Sequence, residues 1–340
     1  MQADIFKYKL PEDRIAKYPP EIRGTSNLLV FDRKTGEIVH QKYFNIIEYI
    51  KPGDVVVLNE TKVLNVRTYF VNDKGRELEV LFLNQEDGNW FCLIGGGRYV
   101  KDGDILSAKD DKDIQIQVLK KKDRGYIVKI LNNIKPEEIF NNIGHTPLPP
   151  YMKRKDIESD KERYNTVFNK IPGSSAAPTA SLNLTDEILK EMEDKGAQVL
   201  KVELRVGWGT FAPIREENIE DHKIHEEYIN ISKKVADEIN KAKENNHDIW
   251  AFGTTVVRTL ESSVNGGRVQ PYSGNTDLYI YPGYEFQIVD HLITNFHQPD
   301  STLILLVSAF AGIDEIKRLY NIALDRNYKF LSYGDSMLII

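Results

Sequence analysis

The segment IWAFGTTVVRTLES, Ile249 to Ser262, carries the reading of the fold. Ile249 to Gly253 is a short apolar run closed by a glycine, and Thr255 to Ser262 then places apolar side chains at helical spacing. A strand turned directly into a helix is the repeating unit of an α/β sheet. Neighbouring sequence repeats the alternation. Thr185 predicts the N-cap of a helix to Lys195, closed by Gly196. Val199 to Leu204 predicts a strand, Ser232 the cap of a helix to about Glu244, Leu278 to Tyr281 a strand, and Ser301 to Ala311 a helix. Nearer the start, Leu28 to Asp32 and Glu37 to Gln41 flank a Lys34-Thr35-Gly36 turn as a hairpin. Phe44 to Ile50 predicts a short helix, and Lys51-Pro52-Gly53-Asp54 turns the chain into the buried strand Val55 to Leu58.

From Lys62 to Leu131 the texture changes. Val63–Val71, Glu77–Leu83, Trp90–Ile94, Ile114–Leu119 and Tyr126–Ile130 read as short strands between turns rich in Gly, Asp and Lys, the pattern of a small antiparallel barrel or sandwich. Pro147-Leu148-Pro149-Pro150-Tyr151 is too rigid for helix interior or central strand and reads as the return to the main domain. The predicted architecture is α/β: a mixed-sheet core domain covered by helices, residues 1–61 and 147–340, with a small antiparallel β-barrel inserted at 62–146. Ligands of open α/β sheets sit beyond the carboxyl ends of strands, so chemistry is expected in the loops after Leu58, Leu204, Gly253 and Tyr281.

A length of 340 residues suits about two domains, and 41% hydrophobic with 28% charged residues is the composition of a folded protein. The longest apolar stretches, such as Leu303 to Ala311, fall short of the roughly 20 residues of a membrane span. Met1-Gln2-Ala3-Asp4-Ile5 has no basic segment followed by an apolar one, which predicts no leader. The single cysteine, Cys92, excludes an internal disulfide and reads as a buried small hydrophobe, and a cytoplasmic location is expected. A net charge of −6 argues against general affinity for nucleic acid. Lys153-Arg154-Lys155 and Lys120-Lys121-Lys122 with Arg124 are solvated tips unless a nucleic-acid partner brings phosphates to them.

No G-x-G-x-x-G opens a helix and no P-loop occurs; Gly95-Gly96-Gly97-Arg98 lies in the all-β region and reads as a turn. His222-Lys-Ile-His225-Glu226-Glu227 differs from metal-binding H-E-x-x-H, so proton transfer or hydrogen bonding is expected there, with surface packing the alternative. An extended segment sends the two imidazoles to opposite faces; a helical one brings them together. Pro172 to Thr185 is rich in small residues, prolines and hydroxyls just before a helix start, which suits either close approach to a ligand or a capped linker. Arg258 follows Gly253-Thr254-Thr255 by one helical turn, where it can grip a carboxylate or pair with Glu261. Asn295-Phe296-His297-Gln298-Pro299 completes the polar set.

In order, Leu10-Pro11, Pro147-Leu-Pro-Pro-Tyr151, Ala176-Ala-Pro-Thr-Ala180, Gly207-Trp-Gly-Thr-Phe211 and Asp221-His-Lys-Ile-His-Glu226 are followed by Gly253-Thr-Thr-Val-Val-Arg258. Tyr281-Pro-Gly283, Thr294-Asn-Phe-His297, Ser308-Ala-Phe-Ala-Gly312 and Ser332-Tyr-Gly-Asp335 continue the series. This ordered set resembles the S-adenosylmethionine:tRNA ribosyltransferase-isomerase family of queuosine biosynthesis, over nearly the whole chain. The resemblance implies an α/β core with an inserted barrel, S-adenosylmethionine as co-substrate, no metal, tRNA bearing the queuosine precursor base as partner, and a monomer. It implies proton transfer by His222, His225 or His297, with Asp221 or Glu227 orienting an imidazole or binding an ammonium group. Substrate contacts are expected from Asn59, Lys62, Arg67, Pro178, Thr179, Ser181, Asn183, Arg205, Gly207, Gly209, Thr210, Glu227, Thr254, Thr255, Arg258 and Asn295. Tyr151, Lys153 and Arg154 are expected to meet tRNA.

The chain also departs from the family pattern. Ala180-Ser181-Leu182-Asn183-Leu184 stands for Ala-Gly-Leu-His-Phe, Arg205 for a histidine, Asn59-Glu60-Thr61-Lys62 for Asn-Asn-Thr-Arg, and Ser26-Asn27-Leu28 for Ser-Arg-Leu. Asn183 hydrogen-bonds but accepts no proton at physiological pH. Two alternatives therefore stay open: a paralogue acting on an acceptor other than tRNA, and a catalytically silent binding protein.

Overall fold

Val55–Asn59 is buried at every position, the mark of a strand covered on both faces. Gln198–Leu204 and Ile249–Phe252 flank it in parallel, and His291–Asn295 runs parallel beyond Ile249–Phe252. These four strands are the centre of a nine-stranded mixed sheet. On one side Glu227–Ile231 and Tyr272–Thr276 extend it antiparallel. On the other, Ser336–Ile339 pairs antiparallel with His291–Asn295 and parallel with Asn27–Phe31, and the hairpin strand Ile38–Lys42 forms the edge.

The period of two along each strand sorts the core into two layers. Val55, Val57 and Ala251 face a cluster with Val235, Ile239, Val256, Leu260, Leu305 and Leu319, so the helices Lys233–Glu244, Thr254–Ser262, Thr302–Ala311 and Ile313–Asp325 cover that face. Val56, Leu58, Trp250 and Phe252 face Tyr43, Ile46, Ile188 and Met192, from the 3-10 helix Tyr43–Tyr49 and the helix Asp186–Asp194. Thr185 and Ser232 cap their helices as expected, and Ser301 caps the helix expected to start at it, each accepting from a backbone N–H three residues on.

The computed structural model describes residues 1–207 and 213–340. The sheet belongs to one unit, Met1–Lys62, Pro149–Arg154 and Arg163–Ile340; Val63–Leu148 and Lys155–Glu162 form a second. The second unit is a closed antiparallel barrel of Arg67–Val71, Glu77–Glu86, Asn89–Ile94, Ile105–Ala108, Gln115–Lys122 and Gly125–Ile130. Phe70, Val80, Phe82, Leu106, Ile116, Val118 and Val128 are buried in it. Cys92 is buried too, and burial pushes its thiol well above the usual range. Gly96 takes a left-handed φ of 76° at the turn before Gly97.

The expected class, a helix-covered mixed sheet with an inserted barrel, is what forms. Two elements correct the sequence reading. Leu278–Tyr281 is not a strand; the strand lies upstream at Tyr272–Thr276. Side chains hold the backbone of Leu278 instead of a ladder: its N–H donates to Thr276 Oγ1 and its carbonyl accepts from Arg258 Nε. The barrel strand Ile105–Ala108 was not anticipated, because only four residues carry its pattern between polar turns. Among the described residues no helix is long and apolar enough to cross a membrane.

Candidate functional site

Arg258 reaches its place because Gly253 ends a central strand with φ +104° and the helix Thr254–Ser262 begins at once. One turn in, the guanidinium is buried. Nη1 donates to Glu227 Oε2, Nε donates to the Leu278 carbonyl at 3.1 Å, and Nη2 has no partner among the described residues. Glu227 begins the neighbouring strand Glu227–Ile231, and its Oε1 accepts the backbone N–H of Gly207 at 2.9 Å. The pair is almost completely withdrawn from solvent, with side-chain exposures of 8% and 4%.

Arg258 and Glu227 line a cleft with His222, His225, Tyr279 and Thr302. Nδ1 of His222 lies 2.8 Å from Glu216 Oε2. The His222 hydrogen bond, and then backbone N–H groups, hold the Glu216 carboxyl down to about 2, so it remains an anion that fixes the imidazole tautomer with Nε2 as acceptor. Residues 222–226 are neither helix nor strand, yet both imidazoles edge this one cleft. The local sequence allowed only periodic alternatives; an irregular backbone does what neither predicted.

A second cleft is lined by Tyr151, Thr179, Asn295, His297, Leu331 and Ser332, and shares Leu303 with the first. Thr179 Oγ1 donates to Asn295 Oδ1 at 2.7 Å, while Asn295 Nδ2 is buried with no partner among the described residues. The ring of His297 meets Thr294 Oγ1 at 2.7 Å, and its backbone N–H donates to Tyr320 Oη at 2.9 Å. Burial drives the His297 imidazole down to about 3, so it is neutral at pH 7 and cannot donate a proton as an imidazolium.

Other expected residues lie elsewhere. Among the described residues the Asp221 carboxylate meets Asn218, at 3.5 Å, and it is Glu216 that lies beside His222. Glu261 does not pair with Arg258; it accepts backbone N–H groups of Gln287, Ile288 and Val289 and the Tyr284 hydroxyl. Asn59 is buried and bridges strand ends, accepting from Leu204 N and Thr61 N and donating to the Leu204 carbonyl. Arg67 belongs to the barrel unit, where Glu79 and the Leu148 carbonyl hold its guanidinium. Lys62 is exposed. Pro178 is buried just before Thr179, and Ser181 Oγ donates to the Phe252 carbonyl at 3.5 Å. Thr254 and Thr255 start the Arg258 helix; Thr255 Oγ1 is buried with no partner among the described residues. Gly209 and Thr210 lie outside the described residues.

Asn183 lines neither cleft. Its Oδ1 accepts from Ser26 Oγ at 2.5 Å and its Nδ2 donates to Ser336 Oγ at 3.5 Å, in a buried polar network. Arg205 donates to Glu203 at 2.7 Å and stacks on Tyr228 at 4.4 Å. Of the residues expected to meet tRNA, Tyr151 bonds Ser332 through its hydroxyl and lines the second cleft. Lys153 pairs with Glu12 at 3.2 Å. Arg154 lies 4.3 Å over the ring of Tyr18, which is 57% exposed. Tyr18 and Glu216 were missed. An exposed aromatic beside Lys17 was the signal for the first; the second sits in a loop without periodicity.

Polar side chains thus converge at the carboxyl-terminal ends of parallel strands in a barrel-bearing mixed-sheet fold, the class of protein that binds small ligands at a sheet's edge. Among the described residues no cluster could hold a metal ion. The chain belongs to the family described as Queuosine biosynthesis protein, whose model matches residues 3–339. It is 46% identical to the S-adenosylmethionine:tRNA ribosyltransferase-isomerase of Carboxydothermus hydrogenoformans and 44% identical to that of Chlorobaculum parvum, covering 100% of both chains in each case. A crystal structure of S-adenosylmethionine tRNA ribosyltransferase from Thermotoga maritima is similar with a TM-score of 0.57 and 34% identity, over 99% of this chain and 100% of that one.

Proposed function

We propose that this chain is an enzyme that transfers and isomerises the ribosyl group of S-adenosylmethionine onto the aminomethyl-deazaguanine wobble base of tRNA, in the cytoplasm. Family membership and full-length relatives named for that reaction support this reading. One structural observation supports the donor site: a buried guanidinium whose Nη2 has no partner among the described residues, in a cleft also lined by His222, whose imidazole meets Glu216.

Nη2 of Arg258 offers two N–H bonds to the donor's methionine carboxylate, and Glu227, shared with Gly207, lies where an ammonium group gains most. The sulfonium acidifies the adjoining ribose CH2. His222, with Nε2 free to accept and Glu216 behind it, takes that proton. The electron pair expels adenine as the sugar reorganises, and the proton taken by His222 is returned to the departing base, which leaves neutral. The amine of the wobble base then attacks the ribosyl carbon, and methionine leaves as the epoxide closes. Neutral His297 hydrogen-bonds without titrating.

Incubating the protein with S-adenosylmethionine and tRNA carrying the precursor base tests this. Release of adenine and methionine that depends on that tRNA is expected. Release without tRNA would mean another acceptor, and donor binding without turnover a silent binding protein. Neither alternative is favoured, since Asn183 and Arg205, the replaced histidines that raised them, line neither cleft: the first sits in a network with Ser26 and Ser336, the second on Glu203 and Tyr228.

A further inference from the structure

We propose that the second cleft is a nucleobase pocket, in which the Asn295 amide donates to a ring-nitrogen or carbonyl acceptor of a neutral heteroaromatic base. This deepens the preceding reading and rests on it. Asn295 ends a central parallel strand and is 2% exposed. Its Oδ1 is engaged by the Thr179 hydroxyl, which fixes the amide plane, and its buried Nδ2 has no partner among the described residues although the residue lines the cleft. A buried NH2 group lacking an acceptor is unfavourable unless a ligand supplies one. None of the side chains lining this cleft is Asp, Glu, Lys or Arg, so it offers no counter-charge for a carboxylate, phosphate or ammonium group. Leu303 and Leu331 provide apolar surface, and the Ser332 hydroxyl a further polar contact. The first cleft, with its Arg258–Glu227 pair, is the opposite case. A planar, uncharged base with an acceptor edge fits the second.

The reaction contains two such bases, the adenine of the donor and the deazaguanine of the tRNA, and both offer an acceptor to an amide N–H. Calorimetric titration with free adenine, with free 7-aminomethyl-7-deazaguanine and with methionine separates them. Wild type, Asn295→Leu and Thr179→Val are compared, each checked for an intact melting transition. One base is expected to bind wild type and to lose roughly five- to ten-fold in affinity in Asn295→Leu, with a smaller loss in Thr179→Val, which frees the amide to rotate. Methionine affinity is expected to stay the same. Loss confined to adenine assigns the pocket to the donor base, and loss confined to the deazaguanine assigns it to the acceptor. If Asn295→Leu does not fold, Thr179→Val decides. Unchanged affinity for both bases in the folded variants, or no base binding to wild type, overturns the proposal. Failure of the underlying reading looks different: wild type then shows no tRNA-dependent release of adenine, whatever these titrations give.

Discussion

Glu227→Leu should destabilise the sheet unit by about 3–5 kcal/mol, because it leaves the buried Arg258 guanidinium without its counter-charge. Arg258→Met should cost about as much, because it removes the counter-charge from the buried Glu227 carboxylate. Two charges at 8% and 4% side-chain exposure have given up hydration, and each depends on the other for compensation. Replacing both together removes the desolvation penalty with the attraction. The double variant Glu227→Leu/Arg258→Met should therefore return to within about 1 kcal/mol of wild type, a coupling of at least about 5 kcal/mol when set against the two single costs. Urea unfolding of the four proteins measures this cycle. Donor binding should follow a different pattern: the double variant, though stable, should lose roughly ten-fold or more in affinity for S-adenosylmethionine, since charge-assisted hydrogen bonds contribute about 1.5–3 kcal/mol. Single variants that each cost less than about 1 kcal/mol, or costs that simply add, would refute the reasoning. A stable double variant that binds the donor as wild type does would remove Arg258 from the donor site.

Glu216→Gln should lower kcat by roughly ten-fold or more, part of the 10²–10⁴ that a positioned acid–base group supplies, while donor affinity stays the same; steady-state kinetics shows the split. His297, held down to about 3 against 6.5 when unfolded, binds a proton in the unfolded chain and not in the folded one between those values. Its contribution to stability is full above pH 6.5 and falls with pH at up to roughly 1.4 kcal/mol per unit, so the gap between wild type and His297→Gln should narrow in urea titrations from pH 7 to pH 4. Asn183→His, in the network with Ser26 and Ser336, should leave single-turnover adenine release unchanged; a large gain would mean that an imidazole there does chemistry after all. Tyr18→Ala should weaken tRNA binding by about 1–3 kcal/mol if a nucleotide base stacks on that exposed ring, without changing the donor KM, as filter binding would show.

Local signals carried the elements that depend only on their own residues. Ser232 and Ser301 announce helices because a hydroxyl three residues before a free N–H caps it whatever the rest of the chain does. The barrel announces itself by short apolar alternations between turns, and the Ile249–Ser262 segment by its abrupt change of period. The family motifs likewise lie in the linear sequence, and with them the kind of reaction.

What stands beside what was decided by tertiary structure. Asn59 and Arg67 are eight residues apart in the chain, yet one ties strand ends in the sheet unit and the other is held inside the barrel unit. Glu227 faces Arg258 rather than an imidazole because the helix after Gly253 and the strand Glu227–Ile231 meet across the sheet. Glu216 reaches His222 through an irregular loop that no periodicity announces. Sequence by itself determined most strands and helices, though not Ile105–Ala108 or the true place of the strand at Tyr272–Thr276, and the kind of chemistry the chain carries. Only the folded sheet decided which polar groups share a cleft, because ladder pairing joins residues hundreds of positions apart, as Leu28 with Ser336, and local propensity holds no record of such partners.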